Sequence, residues 1–180
     1  MRALLSYSLA VRSVVMASLL AIGSFTASSG SALAQTPDNT GSAPVFSASF
    51  KDFDRKLQPL KQFQGKPLVV YFWATWCKSC KNELPELIAL HQKYKAKGVT
   101  VLGIAIDNTD KVREFLKEYK VDYPVLIGSD DALALSKTLG NKVGGLPFAV
   151  VIDAKGTIVG RLLGETKPGK FEELVRPLAG

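Results

Sequence analysis

The stretch Pro67 to Thr75, PLVVYFWAT, limits the fold more than any other part of the chain: nine consecutive residues carry no charge. A strand with one wet face alternates apolar and polar residues, whereas a near-continuous apolar run reads as a strand covered on both faces. Cover on both faces needs a layer on each side of the sheet, so the run predicts an α/β architecture. The following segments agree. NELPELIALHQKYKAKG sets Leu84, Leu87, Ile88, His91 and Tyr94 at helical spacing and stops at Gly98. VTVLGIAID, Val99 to Asp107, is a second buried strand. TDKVREFLKEYK predicts a helix with Thr109 as its cap and Val112, Phe115, Leu116 and Tyr119 turned inward. YPVLIG is a short strand, DDALALSKTLG a short helix ended by Gly140, and FAVVID and TIVGRLLG an antiparallel hairpin around AKG. KFEELVRPL closes the chain as a helix, and a further strand or hairpin is expected near APVFSASF. The order β-α-β-α-β-α-β-β-α predicts a mixed sheet flanked by helices. In such sheets sites gather at the carboxyl ends of strands, and Cys77 stands just past the end of the apolar run.

The first residues read as an export address. Arg2 and Arg12 flank a polar start, SVVMASLLAIGSF supplies the apolar core, and SALAQ presents Ala32 and Ala34 as a small-x-small cleavage site. A spanning helix needs about 20 apolar residues, and this run meets Ser24, Thr26 and Ser28 too soon. Cleavage after Ala34 is expected, with an uncleaved anchor as the alternative. Residues 1–34 are then the signal peptide, 35–44 a leader without periodicity, and 45–180 one domain; cleavage leaves 180 − 34 = 146 residues. The signal holds two Arg and no acid, so the mature charge is +7 − 2 = +5. That charge is spread along the chain with no basic block, and no nucleic-acid partner is expected. The expected location is the periplasm, an oxidising compartment in which paired cysteines form disulfides.

Cys77 and Cys80 are the only cysteines of the chain, so they form a structural bridge, a metal clip or a redox centre. Structural zinc takes four ligands, and two cysteines with the single histidine, His91, fall short, so neither metal nor cofactor is expected. A structural disulfide gains from the length of the loop it closes, and two intervening residues close very little. Position favours redox chemistry. At the start of a helix the free N–H groups and the dipole favour a thiolate, and motifs of this kind bring a cysteine pKa from about 8.5 to as little as about 3.5. Lys78 and Lys81 either add positive potential there or are ordinary solvated lysines. Cys80, one turn on, is expected to be more buried and to act as the resolving thiol.

FWATWCKSC resembles the active site of the thioredoxin superfamily, an apolar strand running into Trp-Cys-x-x-Cys at a helix start. Pro85 matches the kink proline of that helix, and VGGLPF, Val143 to Phe148, resembles the loop whose cis proline faces the dithiol. The resemblance implies that role for Pro147, with the Leu146 backbone free to pair with an extended substrate segment. Seventy residues separate Cys77 from Pro147 (147 − 77), more than a minimal thioredoxin needs. The implied fold is therefore thioredoxin-like with an inserted strand–helix unit between the CxxC helix and the cis-proline loop. Export, the insert and CKSCKNELP make the chain similar to the TlpA/ResA-type thiol:disulfide oxidoreductases over Val45 to Leu178. In that group a C-x-x-C-x-x-E acid assists proton transfer, a role the resemblance carries to Glu83.

Two departures stand out. Thioredoxin has a buried Asp on the strand before the motif where this chain has Tyr71, and relatives often have proline before the second cysteine where this chain has Ser79. The expected reaction is reduction of disulfides in exported proteins: Cys77 attacks, Cys80 resolves and Glu83 takes the proton. Trp76, Leu146, Lys78 and Ser79 are expected to line the substrate surface. The implied partners are exported disulfide proteins and a membrane thiol electron donor. Cytochrome c maturation and periplasmic redox homeostasis are the candidate pathways, and the chain is expected to act as a monomer. The rival readings are a disulfide oxidase or isomerase, a thiol peroxidase, and a non-catalytic binding module. Val70 and Ala74 stand where a peroxidase would carry Pro and Thr. His91 is expected at a packed boundary and Trp73 in the core, while Asp107 and Asn108 read as turn residues.

Overall fold

The computed structural model describes residues 43–180; the expected signal peptide and all but the end of the leader lie outside the described residues. Pro44–Ser47 forms a single 3-10 turn in which Val45 is fully buried. Ala43 is also buried and its N–H bonds the Gly156 carbonyl, so the packed domain takes in the last two residues of the expected leader.

Strands β1 (Ser49–Lys51) and β2 (Leu57–Pro59) form the hairpin expected near the start of the domain. The apolar run forms β3 (Leu68–Trp73), all six residues buried, followed by α1 (Lys78–Tyr94). Then come β4 (Thr100–Ile106), α2 (Thr109–Glu118), β5 (Val125–Gly128) and α3 (Asp130–Thr138). Strands β6 (Phe148–Ile152) and β7 (Ile158–Leu163) and helix α4 (Lys170–Val175) complete the chain. The seven strands lie in the order β2-β1-β5-β4-β3-β6-β7. β3, β4 and β5 are parallel, and β6 runs antiparallel to β3, with Tyr71 opposite Ala149. The fold is the mixed, helix-flanked sheet that the thioredoxin resemblance implied.

Alternation along β3 sends its side chains to two cores. Val69, Tyr71 and Trp73 join Leu84, Leu87, Leu90 and Phe171 beneath α1 and α4. Leu68, Val70 and Phe72 join Leu102, Ile104 and Phe148 on the other face, where Ala132 of α3 packs. Each such side chain contributes about 1.5–3 kcal/mol by leaving water, so β3, covered on both sides, anchors the domain. Trp73 lies in the core as expected, 5.0 Å ring to ring from Phe115. In α1 the buried stripe runs through Leu84, Leu87, Leu90 and Tyr94; Ile88, expected inward, is half-buried, and His91 lies at the packed boundary expected for it. Helix α2 is capped by Asn108 rather than Thr109: the Asn108 side-chain Oδ1 accepts the N–H groups of Asp110 and Lys111. Asparagine in extended backbone reaches those amides, and Thr109 is already the first helical residue. Gly98, at φ +82, supplies the left-handed turn that ends the α1 segment. Among the described residues, no helix is long and apolar enough to cross a membrane.

Candidate active site

β3 delivers the chain to the site through Ala74, Thr75 and Trp76, and Cys77 is the N-cap residue of α1. Cys77 and Cys80 are bonded, with their Cα atoms 5.2 Å apart. Cys77 keeps 6% of its surface and Cys80 none, so an incoming group meets Cys77 Sγ first. That sulfur accepts the Cys80 N–H at 3.2 Å, where a capping oxygen would ordinarily stand. The same amide and the helix dipole favour negative charge on Cys77 once the bond is opened.

The approach loop is braced from outside the motif. Asp107, just past the end of β4, accepts the Thr75 N–H at 3.0 Å and the Thr75 hydroxyl on one oxygen, and the Asn108 N–H at 2.7 Å on the other. Burial pushes the Asp107 pKa up, but the hydrogen bonds from Thr75 and Asn108 outweigh it and hold the carboxyl below its ordinary value. From the sequence, Asp107 reads as a turn residue. An acid ending a strand is an ordinary turn signal, and no local pattern points to a partner 32 residues earlier.

Glu83, one turn beyond Cys80, is not the surface acid that a first helical turn usually carries: only 4% of it is exposed. A buried carboxylate costs several kcal/mol unless it is hydrogen-bonded, and this one is. Oε1 accepts the Thr166 N–H at 2.7 Å and its hydroxyl at 2.8 Å, and Oε2 accepts the Tyr71 hydroxyl at 3.1 Å. The Tyr71 hydroxyl also lies 3.3 Å from the Cys80 carbonyl, which links Glu83 to the backbone of the second cysteine. Burial first, and then the Glu83 charge, push the Tyr71 pKa far up, so the phenol stays a donor. Tyr71 thus fills, as a donor to an acid, the position where thioredoxin carries the acid itself. Thr166 carries no motif, so the sequence does not point to it.

The peptide bond between Leu146 and Pro147 is cis. Leu146 is half-buried and packs against both cores of the domain, one of which contains both cysteines. The Pro147 carbonyl accepts the Gly164 N–H at 2.9 Å. Trp76 is 68% exposed beside Cys77, Lys78 is exposed, and Ser79 is half-buried in the first turn of α1. Lys81 turns its Nζ over the Phe115 ring, 5.7 Å from the centroid. His91 is half-buried, edge-on to Tyr123, and burial holds its pKa below the ordinary histidine value.

The chain is similar to known proteins in sequence and fold. Residues 40–161 match the AhpC/TSA family. The thiol-disulfide oxidoreductase ResA of Bacillus thuringiensis subsp. konkukian is 37% identical over 128 residues, covering 71% of this chain and 72% of that one. The protein of the same name from Geobacillus thermodenitrificans is 30% identical over 152 residues, 83% of this chain and 84% of its own. Among solved structures, a thioredoxin-family thiol:disulfide interchange protein from Chlorobium tepidum is similar at a TM-score of 0.68 and 27% identity, over 77% of this chain and 97% of that one.

Proposed function

The chain belongs to the AhpC/TSA family of thioredoxin-like proteins and is a thiol-disulfide oxidoreductase of the ResA type, and we propose that it works as a dithiol reductase on disulfides of exported proteins. The carrying observation is a disulfide at the first turn of a helix with a buried, hydrogen-bonded carboxylate one turn behind it. In the reduced protein, Cys77 thiolate attacks one sulfur of a substrate disulfide. The other substrate sulfur leaves with the electron pair and is protonated from solvent. Cys80 then gives its proton to Glu83 and attacks Cys77 Sγ, which closes the Cys77–Cys80 bond and frees the second substrate thiol. Two electrons have passed to the substrate, and a membrane thiol donor restores the dithiol.

The sequence supports export through residues 1–34 and action in the periplasm. Apocytochrome c, whose CxxCH thiols must be reduced before haem attachment, is the substrate class to test first. In this reading one strand–helix unit between α1 and the cis-proline loop is the insert relative to a minimal thioredoxin, and the protein acts as a monomer. Trapping tests the mechanism. Cys80→Ser should accumulate partners as mixed disulfides through Cys77, and Cys77→Ser should not. Equal behaviour of the two variants would contradict the assignment.

A further inference from the structure

Three consecutive peptide units precede β6, and the protein treats them differently. Both polar groups of Gly145 are taken by one side chain: Asn141 Nδ2 donates to the Gly145 carbonyl at 2.8 Å, and Asn141 Oδ1 accepts the Gly145 N–H at 3.1 Å. The Pro147 carbonyl is taken by the Gly164 N–H. Between them, the N–H and C=O of Leu146 meet no protein partner among the described residues. Asn141 is fully buried, and its second amide hydrogen goes to Ser136 Oγ at 3.3 Å. Ser136 in turn donates to the Leu133 carbonyl at 2.8 Å, which roots the clamp in α3. The five residues from Asn141 to Gly145 thus close on themselves, with Val143 at the tip 78% exposed. Elsewhere in the fold a neighbouring strand makes such a pair of bonds; here a side chain makes it, and the loop needs no strand on that side.

We propose that Asn141 is a positioning residue for protein substrates, which holds Gly145 so that Leu146 alone presents an open pairing edge to an extended peptide carrying the disulfide. The inference rests on the reductase reading above. A peptide that adds main-chain bonds at Leu146 gains from a rigid edge, because the ordering cost has already been met. A small disulfide that only touches Cys77 has no segment long enough to use that edge. Asn141 therefore separates large substrates from small ones and leaves the sulfur chemistry to α1.

The test compares oxidised insulin with glutathione disulfide as substrates of the reduced protein. For Asn141→Ala, kcat/KM toward insulin is expected to fall about tenfold more than toward glutathione disulfide, with the loss mainly in KM. Asn141→Asp keeps the acceptor for the Gly145 N–H but loses the donor to its carbonyl, and it should fall between wild type and the alanine variant. Ser136→Ala, which removes only the brace, covers the case in which Asn141→Ala does not fold, and it should show a smaller loss of the same kind. Equal losses toward both substrates in these variants, or no loss toward insulin, would overturn the role of Asn141 while leaving the reductase reading intact. A wild-type protein that exchanges with glutathione disulfide but not with insulin would remove the reductase reading, and this inference with it.

Discussion

The two segments to which the proposed function assigns sulfur chemistry and substrate pairing are held by opposite chemistry. The sulfur loop, Ala74 to Glu83, is fixed by carboxylates: Asp107 on Thr75 ahead of the cysteines, and Glu83 on Tyr71 and Thr166 behind them. The loop from Asn141 to Pro147 is fixed by an amide, a hydroxyl and backbone groups that do not titrate in the working range. The segment proposed to move protons is therefore tied by groups that can change charge, while the loop proposed to read a partner is tied by groups that keep theirs. Damage to the first should show with every disulfide and depend on pH; damage to the second should depend on substrate size and ignore pH.

The largest effect is expected from Cys77→Ser, which should abolish exchange with every disulfide in a stopped assay. Next is Glu83→Gln. General acid–base groups contribute about 10²–10⁴-fold, and at neutral pH the resolving step should slow by about 10²-fold. The deficit should shrink as pH rises and Cys80 loses its proton to solvent, a trend read from the pH profile of disulfide closure. A flat profile, or a loss confined to insulin, would erase the contrast between the loops. Tyr71→Phe deletes one of the three donors to Glu83. It should cost about 1 kcal/mol in urea unfolding and slow closure less than Glu83→Gln does.

The smallest effect is expected from Asp107→Asn. The folded carboxyl titrates below its ordinary value of 3.8, so its contribution is present above that value and fades as pH falls through the lower folded value. The stability gap between wild type and Asp107→Asn, followed by thermal melts from pH 7 to pH 2, should therefore close at the acid end. A gap that persists there would mean that Asp107 braces Thr75 through shape rather than charge.

What the sequence exposed and what it hid divide along the same line. β3 and the CxxC at its end were legible because residue type and spacing within one element place them, whereas Glu83 and the proline before β6 stood out only through the resemblance to the thioredoxin superfamily. Tyr71 was legible as a departure but not as a partner, because its contact with Glu83 lies 12 residues away across the strand–helix junction. Thr166 and Asp107 act over 83 and 32 residues, distances at which only the folded sheet brings groups together. Asn141 acts over four residues, yet LGNKVGG reads as a helix stop followed by a loose turn. The missing signal was its complete burial, a property of packing rather than of the local chain. The buried stripe of α1 shows the same limit: Leu90 lies inside, while Ile88, on the stripe read from spacing, is half-buried.

Direction of electron flow is the central claim, and the reduction potential of the Cys77–Cys80 pair tests it most directly. Lys78 and Ser79 stand between the sulfurs, and the helix start favours the Cys77 thiolate, which alone would push the pair toward oxidant behaviour. A potential well below about −200 mV, by equilibration with a dithiol buffer, is expected for a reductase. A value near about −120 mV would make the protein a donor of disulfides and contradict the assignment.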